Sequence, residues 1–301
     1  MDSLMATPPE RSVLVTGADG LIGRAVVDAL TRAGRTVSAL SRTWSSPTSA
    51  ARVFTGDAAD EELVRRAVQG IDAVVHLAAI PHPNLGTPRQ VFVGNTSATF
   101  TVLNSAGEAG IRRAVVASSI NAFGVPLNRH DTYTSHYPLD IDEPVEHDDA
   151  YSLSKWVDER IAAWAYSRWE IDSVAFRFPL VRPAAELRLA ADRLREQPGE
   201  QARLAREGWA YLELSDAVDA IVRALDVPLS GAHTLMLAAE DTLLAEPTDS
   251  LLDRFAPHSR RRTTFPGRTA PIDTSAAREL LGWAPTHTVL PLDPSYQETP
   301  A

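Results

Sequence analysis

Tyr151 and Lys155 stand four residues apart in the stretch AYSLSKW, so a helix through them puts both side chains on one face. The chain holds 29 basic residues, and Lys155 is its only lysine. A free phenol titrates near 10 and is a poor base at neutral pH, but a cation within about 4–6 Å favours the phenolate. A compact ammonium with three rotatable donors can sit under the phenol and also hold a ribose hydroxyl, whereas a planar guanidinium fork has a different geometry. The pair reads as a proton-transfer centre, with Tyr151 as general acid/base and Lys155 as the group that tunes it. A third partner is expected from VASSINAFG, where an apolar run ends in two hydroxyls, Ser118 and Ser119. One of them, beside the phenol, would orient the oxygen that gains or loses the proton.

Upstream, TGADGLIG follows the apolar run 13–15 and opens a pattern in which Ile22, Val26, Val27 and Leu30 recur at helical spacing. Strand, glycine turn and helix in that order form a cradle for a dinucleotide pyrophosphate. Gly17 permits the tight turn, Gly20 lets the backbone approach the phosphates, and Gly23 lets the helix pack closely on the sheet. The helix start at Leu21 and Ile22 offers unpaired N–H groups to the same phosphates. The second strand ends at Ser41 and Arg42. A carboxylate there would bond a ribose 2′-hydroxyl, whereas a neutral residue beside a guanidinium suits a 2′-phosphate. The expected cofactor is therefore NADP, with NAD as the alternative, and Arg24 is a second candidate cation.

The scaffold that must carry these groups is legible as alternating strands and helices. Apolar runs at 36–40, 53–55, 73–79, 113–119 and 173–178 read as strands. Helical patterns occupy 61–68, 91–107 and 151–169, with Asp148 or Asp149 capping the last. Strands that are apolar on both faces imply a parallel sheet covered by helices on each side. The expected fold is α/β, a Rossmann-type doubly wound parallel sheet with a smaller, mostly helical C-terminal substrate region. Residues 1–180 would form the dinucleotide-binding domain and 181–301 a partly interleaved substrate region. In the latter, 186–207 and 214–225 read as helices and 232–301 is punctuated by proline. Near the end, Asp273 or Thr274 is a cap and Gly282 a stop.

Composition narrows the partners. The formal net charge of −10 repels phosphate backbones, so nucleic-acid binding is not expected. Absence of cysteine excludes disulfides, thiolate metal sites and a cysteine nucleophile. No apolar stretch approaches a membrane span, and MDSLMATPPER lacks the apolar core of a signal peptide, so a cytoplasmic protein is expected. The segment Asn128–Asp149 carries three histidines and seven carboxylates without metal-ligand spacing. It reads as a solvated loop that can close over a substrate, and no metal is expected. His82 follows the fourth strand near the presumed cleft.

Together these residues resemble the extended short-chain dehydrogenase/reductase family, which includes the NAD-dependent epimerases and dehydratases. The resemblance covers nearly the whole chain. It implies an adenine contact at Asp57 and Ala58 in GDAAD, and a cofactor-lining segment Leu77, Ala78 and Ala79 in HLAA. It also implies cofactor roles for Asn95 in GNTSAT and for Phe178, Pro179 and Leu180 in RFPLVRP. By distance to Gly124 in SSINAFG, the catalytic hydroxyl maps to Ser119. Ala98 replaces a usual glycine and Phe123 a usual tyrosine. Ile120-Asn121 stand where family dehydratases carry Asp-Glu, which disfavours elimination. Only 25 residues separate Pro183 from Trp209, which implies a small substrate without a nucleotide handle. The look is closest to the uronate dehydrogenase-type branch, whose members oxidise a sugar at its anomeric carbon and usually prefer NAD; Arg42 departs from that preference. His82, Asn121, Arg182 and Arg188 are the substrate candidates, the arginines for a carboxylate. The resemblance also implies a homodimer formed across helices 91–107 and 151–169. The expected function is NAD(P)-dependent hydride transfer on a small sugar-like alcohol or carbonyl. The alternatives are an epimerase that retains its cofactor and a non-catalytic dinucleotide-binding regulator, and the latter has no need of a Ser-Tyr-Lys set.

Overall fold

The structure is a computed structural model that describes residues 12–130 and 132–289. The N-terminal stretch read above for a signal peptide lies outside the described residues. The first half of the chain runs β1 (Val13–Thr16), α1 (Leu21–Arg32), β2 (Val37–Ser41), β3 (Arg52–Thr55), α2 (Glu61–Ala67), β4 (Ala73–His76), α3 (Pro88–Glu108) and β5 (Arg113–Ser119). After a loop with the two-residue β6 (His136–Tyr137) come α4 (Ala150–Trp169), β7 (Asp172–Phe178) and β8 (Leu180–Arg182). The remainder is α5 (Ala184–Arg195), α6 (Pro198–Ala205), β9 (Tyr211–Glu213), α7 (Leu214–Asp226), β10 (Ala232–Met236), α8 (Thr248–Phe255), β11 (Arg260–Arg261) and α9 (Ser275–Leu281).

Seven strands form one parallel sheet in the order β10-β7-β5-β4-β1-β2-β3. This is the doubly wound arrangement expected from the sequence. The chain winds outward from β1 through β2 and β3, then returns to pair β4 on the other side of β1. That reversal opens a crevice beyond the carboxyl ends of β1 and β4, where such sheets take ligands. Val13, Val15, Val26, Val27 and Leu30 pack on one face with Ile221 and Leu225 of α7. Leu14, Val74 and Val116 face the other way, against Val64 of α2, Val102 of α3 and Ala162 of α4. The alternation along β1 thus feeds two cores, which is why its four residues are all apolar or buried. A third core joins Leu187 and Leu194 of α5 to Trp209, Tyr211 and Leu251.

The helix ends that position the site follow from local chemistry. Asp149 Oδ1 accepts the N–H groups of Tyr151 and Ser152, each at 2.8 Å, and starts α4 there. Thr87 and Gln90 form a capping box, so α3 begins at Pro88, earlier than the periodicity suggested. The expected helix 186–207 is two helices. Gln197 precedes Pro198, whose ring disfavours the helical conformation of the residue before it, and the chain breaks between α5 and α6. β10 was read only as part of a proline-punctuated tail, yet it extends the main sheet beyond β7. Among the described residues no helix is long and apolar enough to cross a membrane.

Candidate active site

A cleft of about 1230 Å³ runs along the carboxyl ends of the strands. At one end lie Ser41, Arg42, Asp57 and Ala58; in the middle, Gly17 to Gly23 with Leu77, Ala78, Ala79 and Asn95. Ser119, Asn121, Tyr151, Lys155, Phe178, Pro179 and Leu180 follow, and His82, Arg182 and Arg193 line the far part. Residues expected from distant parts of the sequence are therefore brought to one surface. Arg188 is not among the residues that line it: its Nε donates to the Val289 carbonyl at 3.2 Å.

The glycine turn has the required shape. Gly17 sits at φ +66°, and a Cβ there would lie 2.7 Å from the Ala78 nitrogen at the end of β4. A Cβ on Gly23 would lie 2.2 Å from the Gly17 carbonyl oxygen, so the third glycine lets α1 close on the turn. No side chain caps the N-terminus of α1, which faces the cleft with its donors open to an anion. Arg42 is exposed at the cleft edge with no hydrogen-bond or ion-pair partner among the described residues. Arg24 behaves differently from the expectation. Its guanidinium pairs with Asp19 and donates to Ser45 Oγ at 2.9 Å, so its charge is already matched. The uncapped helix and the positive-φ glycine fit a dinucleotide pyrophosphate.

Ser119 and Ser118 part company. Ser118 Oγ donates to Glu159 Oε1 at 2.7 Å, inside a buried pair in which Arg177 Nε meets the same oxygen at 2.8 Å. Ser119 Oγ accepts the Asn121 N–H at 3.1 Å, which leaves its own proton free to donate into the cleft. Asn121 Oδ1 is buried without a hydrogen-bond partner among the described residues. Tyr151 is buried at the start of α4, and Lys155 lies one turn on. Lys155 Nζ donates to the Ala117 carbonyl at 2.8 Å and to Asp158 Oδ2 at 3.1 Å. Asn95 is buried with both amide hydrogens engaged, to the Ile80 carbonyl and to Ser154 Oγ, while its Oδ1 takes the Ile80 N–H at 2.7 Å. It ties α3 to the end of β4 and to α4.

Beyond Asn121 the wall is built by β8, α5 and α6. Arg182 reaches Glu186 at 3.6 Å, and Arg203 bonds both Glu200 and Glu207. Burial pushes the Glu207 carboxyl up, while the hydrogen bond from Arg203 holds Glu200 below its ordinary value. Arg193 has no partner among the described residues. The sequence reading missed it, although Glu186, Ala190, Arg193, Leu194 and Gln197 recur at helical spacing and form this wall. His82 lines the cleft edge and its Nδ1 accepts the Asn84 N–H at 3.1 Å. The histidine-rich loop is tied down: the Glu146 N–H meets the Phe123 carbonyl at 2.8 Å, and His136 lies between Asp140 and Glu143.

A model of the NAD dependent epimerase/dehydratase family matches residues 13–236, well over half of the chain. The chain belongs to this family. Proteins similar to it include a uronate dehydrogenase from Pseudomonas putida, 26% identical over 79% of this chain and 79% of its own. A 3-diazoavenalumate denitrifying reductase from Streptomyces is 29% identical over 91% of this chain and 96% of its own. Among solved structures, a short-chain dehydrogenase/reductase superfamily protein from Agrobacterium tumefaciens with bound NAD superposes with a TM-score of 0.67. It is 23% identical and covers 92% of this chain and 93% of its own, so the likeness is one of fold. Family membership makes the chain an enzyme of the NAD-binding epimerase/dehydratase group.

Proposed function

We propose that this chain is an NAD(P)-dependent oxidoreductase acting on the alcohol or carbonyl of a small sugar-like substrate. Tyr151 is the general acid/base, Lys155 its electrostatic partner, and Ser119 the hydroxyl that orients the reacting oxygen. The observation that carries this reading is the convergence of a serine with an uncommitted proton, a buried phenol and the chain's single ammonium in one cleft with an uncapped glycine turn. The turn Gly17–Gly23, Ser41, Arg42, Asp57, Ala58, Leu77–Ala79, Tyr151, Lys155 and Phe178–Leu180 would hold the dinucleotide, with Asn95 shaping its wall. When bound, the nicotinamide supplies the site that accepts or gives the hydride. In the oxidative direction Tyr151 takes the substrate hydroxyl proton while Ser119 donates to the same oxygen. In the reductive direction Tyr151 returns that proton.

Arg42 supports NADP over NAD, because an unpaired guanidinium beside Ser41 is a poor match for two ribose hydroxyls and a good one for a phosphate. Residues 181–301 supply the substrate side, with β10 interleaved into the sheet. Of the four arginines lining the cleft, Arg193 alone on the substrate wall is unpaired, which supports a substrate carrying a carboxylate. Arg182 is partly matched by Glu186, and Arg188 points away. The compact wall favours a substrate without a nucleotide. Net redox chemistry is preferred to epimerisation because the relatives similar over more than three quarters of this chain include uronate dehydrogenases, an L-arabinose 1-dehydrogenase and a reductase, whereas the UDP-glucose 4-epimerases similar to it match over little more than half. The outer faces of α3 and α4 support a homodimer.

The test follows reduced nicotinamide by absorbance with each cofactor against uronates, aldoses and nucleotide sugars. Turnover of a uronate is expected, and Tyr151→Phe should lower it by at least about 10²-fold while cofactor affinity is kept. Undiminished turnover in Tyr151→Phe overturns the mechanism. An epimerase would instead show product without net change in the nicotinamide.

A further inference from the structure

Lys155 is bracketed along α4 by Tyr151 one turn before it and Asp158 one turn after it. Both members of the Lys155–Asp158 pair are withdrawn from solvent, with side chains 5% and 1% exposed. Nζ meets Asp158 Oδ2 at 3.1 Å and the Ala117 carbonyl at 2.8 Å, so two of its three hydrogens are committed and one remains. The second carboxylate oxygen, Oδ1, is buried without a hydrogen-bond partner among the described residues. Among the groups that hold a carboxylate this dry as an anion, Lys155 contributes most, with the Thr99 hydroxyl next.

Among the described residues, the surroundings add no second cation at contact distance. From α3 comes the neutral hydroxyl of Thr99, which donates to the Asn95 carbonyl at 3.1 Å. Behind Thr99 lies His76 of β4, its Nε2 3.1 Å from Thr99 Oγ1 and its Nδ1 2.8 Å from Thr16 Oγ1. Burial, then Lys155, hold this imidazole down to about 3, so it is neutral and takes both bonds without bringing charge. Glu159, next on α4, is matched by Arg177 of β7. Burial pushes the Asp158 carboxyl up, Lys155 and then the Thr99 hydroxyl pull it back, and Glu159 adds to the rise.

We propose that Asp158 is a positioning residue for Lys155: its carboxylate pins the ammonium and tempers the positive charge that Lys155 presents to the Tyr151 phenol. Nothing in the proton transfer itself passes through Asp158. The inference rests on the Tyr151–Lys155 reading above. Removing a negative charge favours loss of protons from every group around it, so Asp158→Asn should move the pH limb of turnover to lower pH by about one unit. A residue that merely fills space would leave that limb in place.

The single lysine makes a direct readout available in the protein without cofactor. Lysine-selective isotope labelling gives one side-chain resonance, that of Lys155. In the wild type it is expected to show an inflection on the acid side as Asp158 takes a proton. Asp158→Asn, and Asp158→Ser as a second variant, should lose it. A wild-type lysine resonance without an acid inflection overturns the proposal, whether or not the variants fold. So does a folded Asp158→Asn whose pH limb stays in place while Tyr151→Phe is inactive. An active Tyr151→Phe sinks the mechanism instead, and leaves the lysine titration as a fact about the ion pair alone.

Discussion

At the scale of single residues, the candidate site was legible wherever a residue type is rare or a spacing is strict. One lysine in the chain, four residues after a tyrosine, needed no coordinates to be noticed. What the sequence could not supply was which polar groups are already spent. Ser118 and Ser119 are the same residue type, and only the family resemblance singled out Ser119; in the structure they differ because Glu159 has claimed the first. Arg42 was the first candidate for a phosphate and Arg24 the second; Asp19 neutralises Arg24, and Arg42 stands unpaired among the described residues. That contrast fixes a prediction. Arg42→Ala should raise the Kd or KM for NADP by about 10- to 100-fold, the scale of a lost charge-assisted hydrogen bond of about 1.5–3 kcal/mol. The value for NAD should change little, since NAD has no 2′-phosphate to miss the guanidinium. Binding titrations with both cofactors check it, and an equal loss for both removes the argument for NADP.

At the scale of elements, the parallel core was readable because buried strands are continuous apolar runs and their helices carry caps. The misses occurred where the burial is one-sided or the break is a backbone effect. β10 lies at the sheet edge and its first residues, Ala232 to Thr234, are only half-buried, so no apolar run announced it. The break between α5 and α6 comes from a proline ring acting on Gln197, inside a stretch whose composition is uniformly helical. The loop after β5 is fixed by a comparable backbone demand. Gly124 ends the segment that begins at Ser119, with φ +90°, and a Cβ there would lie 2.3 Å from the Glu146 carbonyl oxygen. That oxygen belongs to backbone that also accepts from Asn128 at 3.1 Å, so it has little room to retreat. Gly124→Ala should therefore destabilise the protein by about 1–3 kcal/mol, read by urea denaturation. It should also lower turnover, because the displaced strand of chain leads three residues later into the Asp149 cap that starts the Tyr151 helix. An unchanged denaturation midpoint would mean that the loop yields freely and does not support the site.

At the scale of the whole molecule, α3 and α4 present two different faces. Their inner faces bring Asn95, Thr99, Tyr151, Lys155 and Asp158 to the cleft and its floor. Their outer faces leave Val93, Phe100, Leu153 and Tyr166 exposed at 42%, 45%, 36% and 37%. Leu153, Val157, Arg160 and Trp164 recur along α4 at the spacing of a helix-packing stripe. Phe100 stacks on Trp164 with ring centroids 4.9 Å apart, joining the two helices into one apolar surface. A monomer with a net charge of −10 has no use for such a patch, whereas a second copy of the same two helices would bury it isologously. The expected state is a dimer in sedimentation equilibrium. Phe100→Asp should shift it to monomer by placing a charge at the centre of the surface and its symmetry mate. Because the same helices hold the ammonium and its carboxylate, loss of the partner should also lower thermal stability and turnover together as protein is diluted. A wild type that sediments as a monomer at every concentration, with activity independent of dilution, would refer these exposed side chains to some other contact and leave the site complete within one chain.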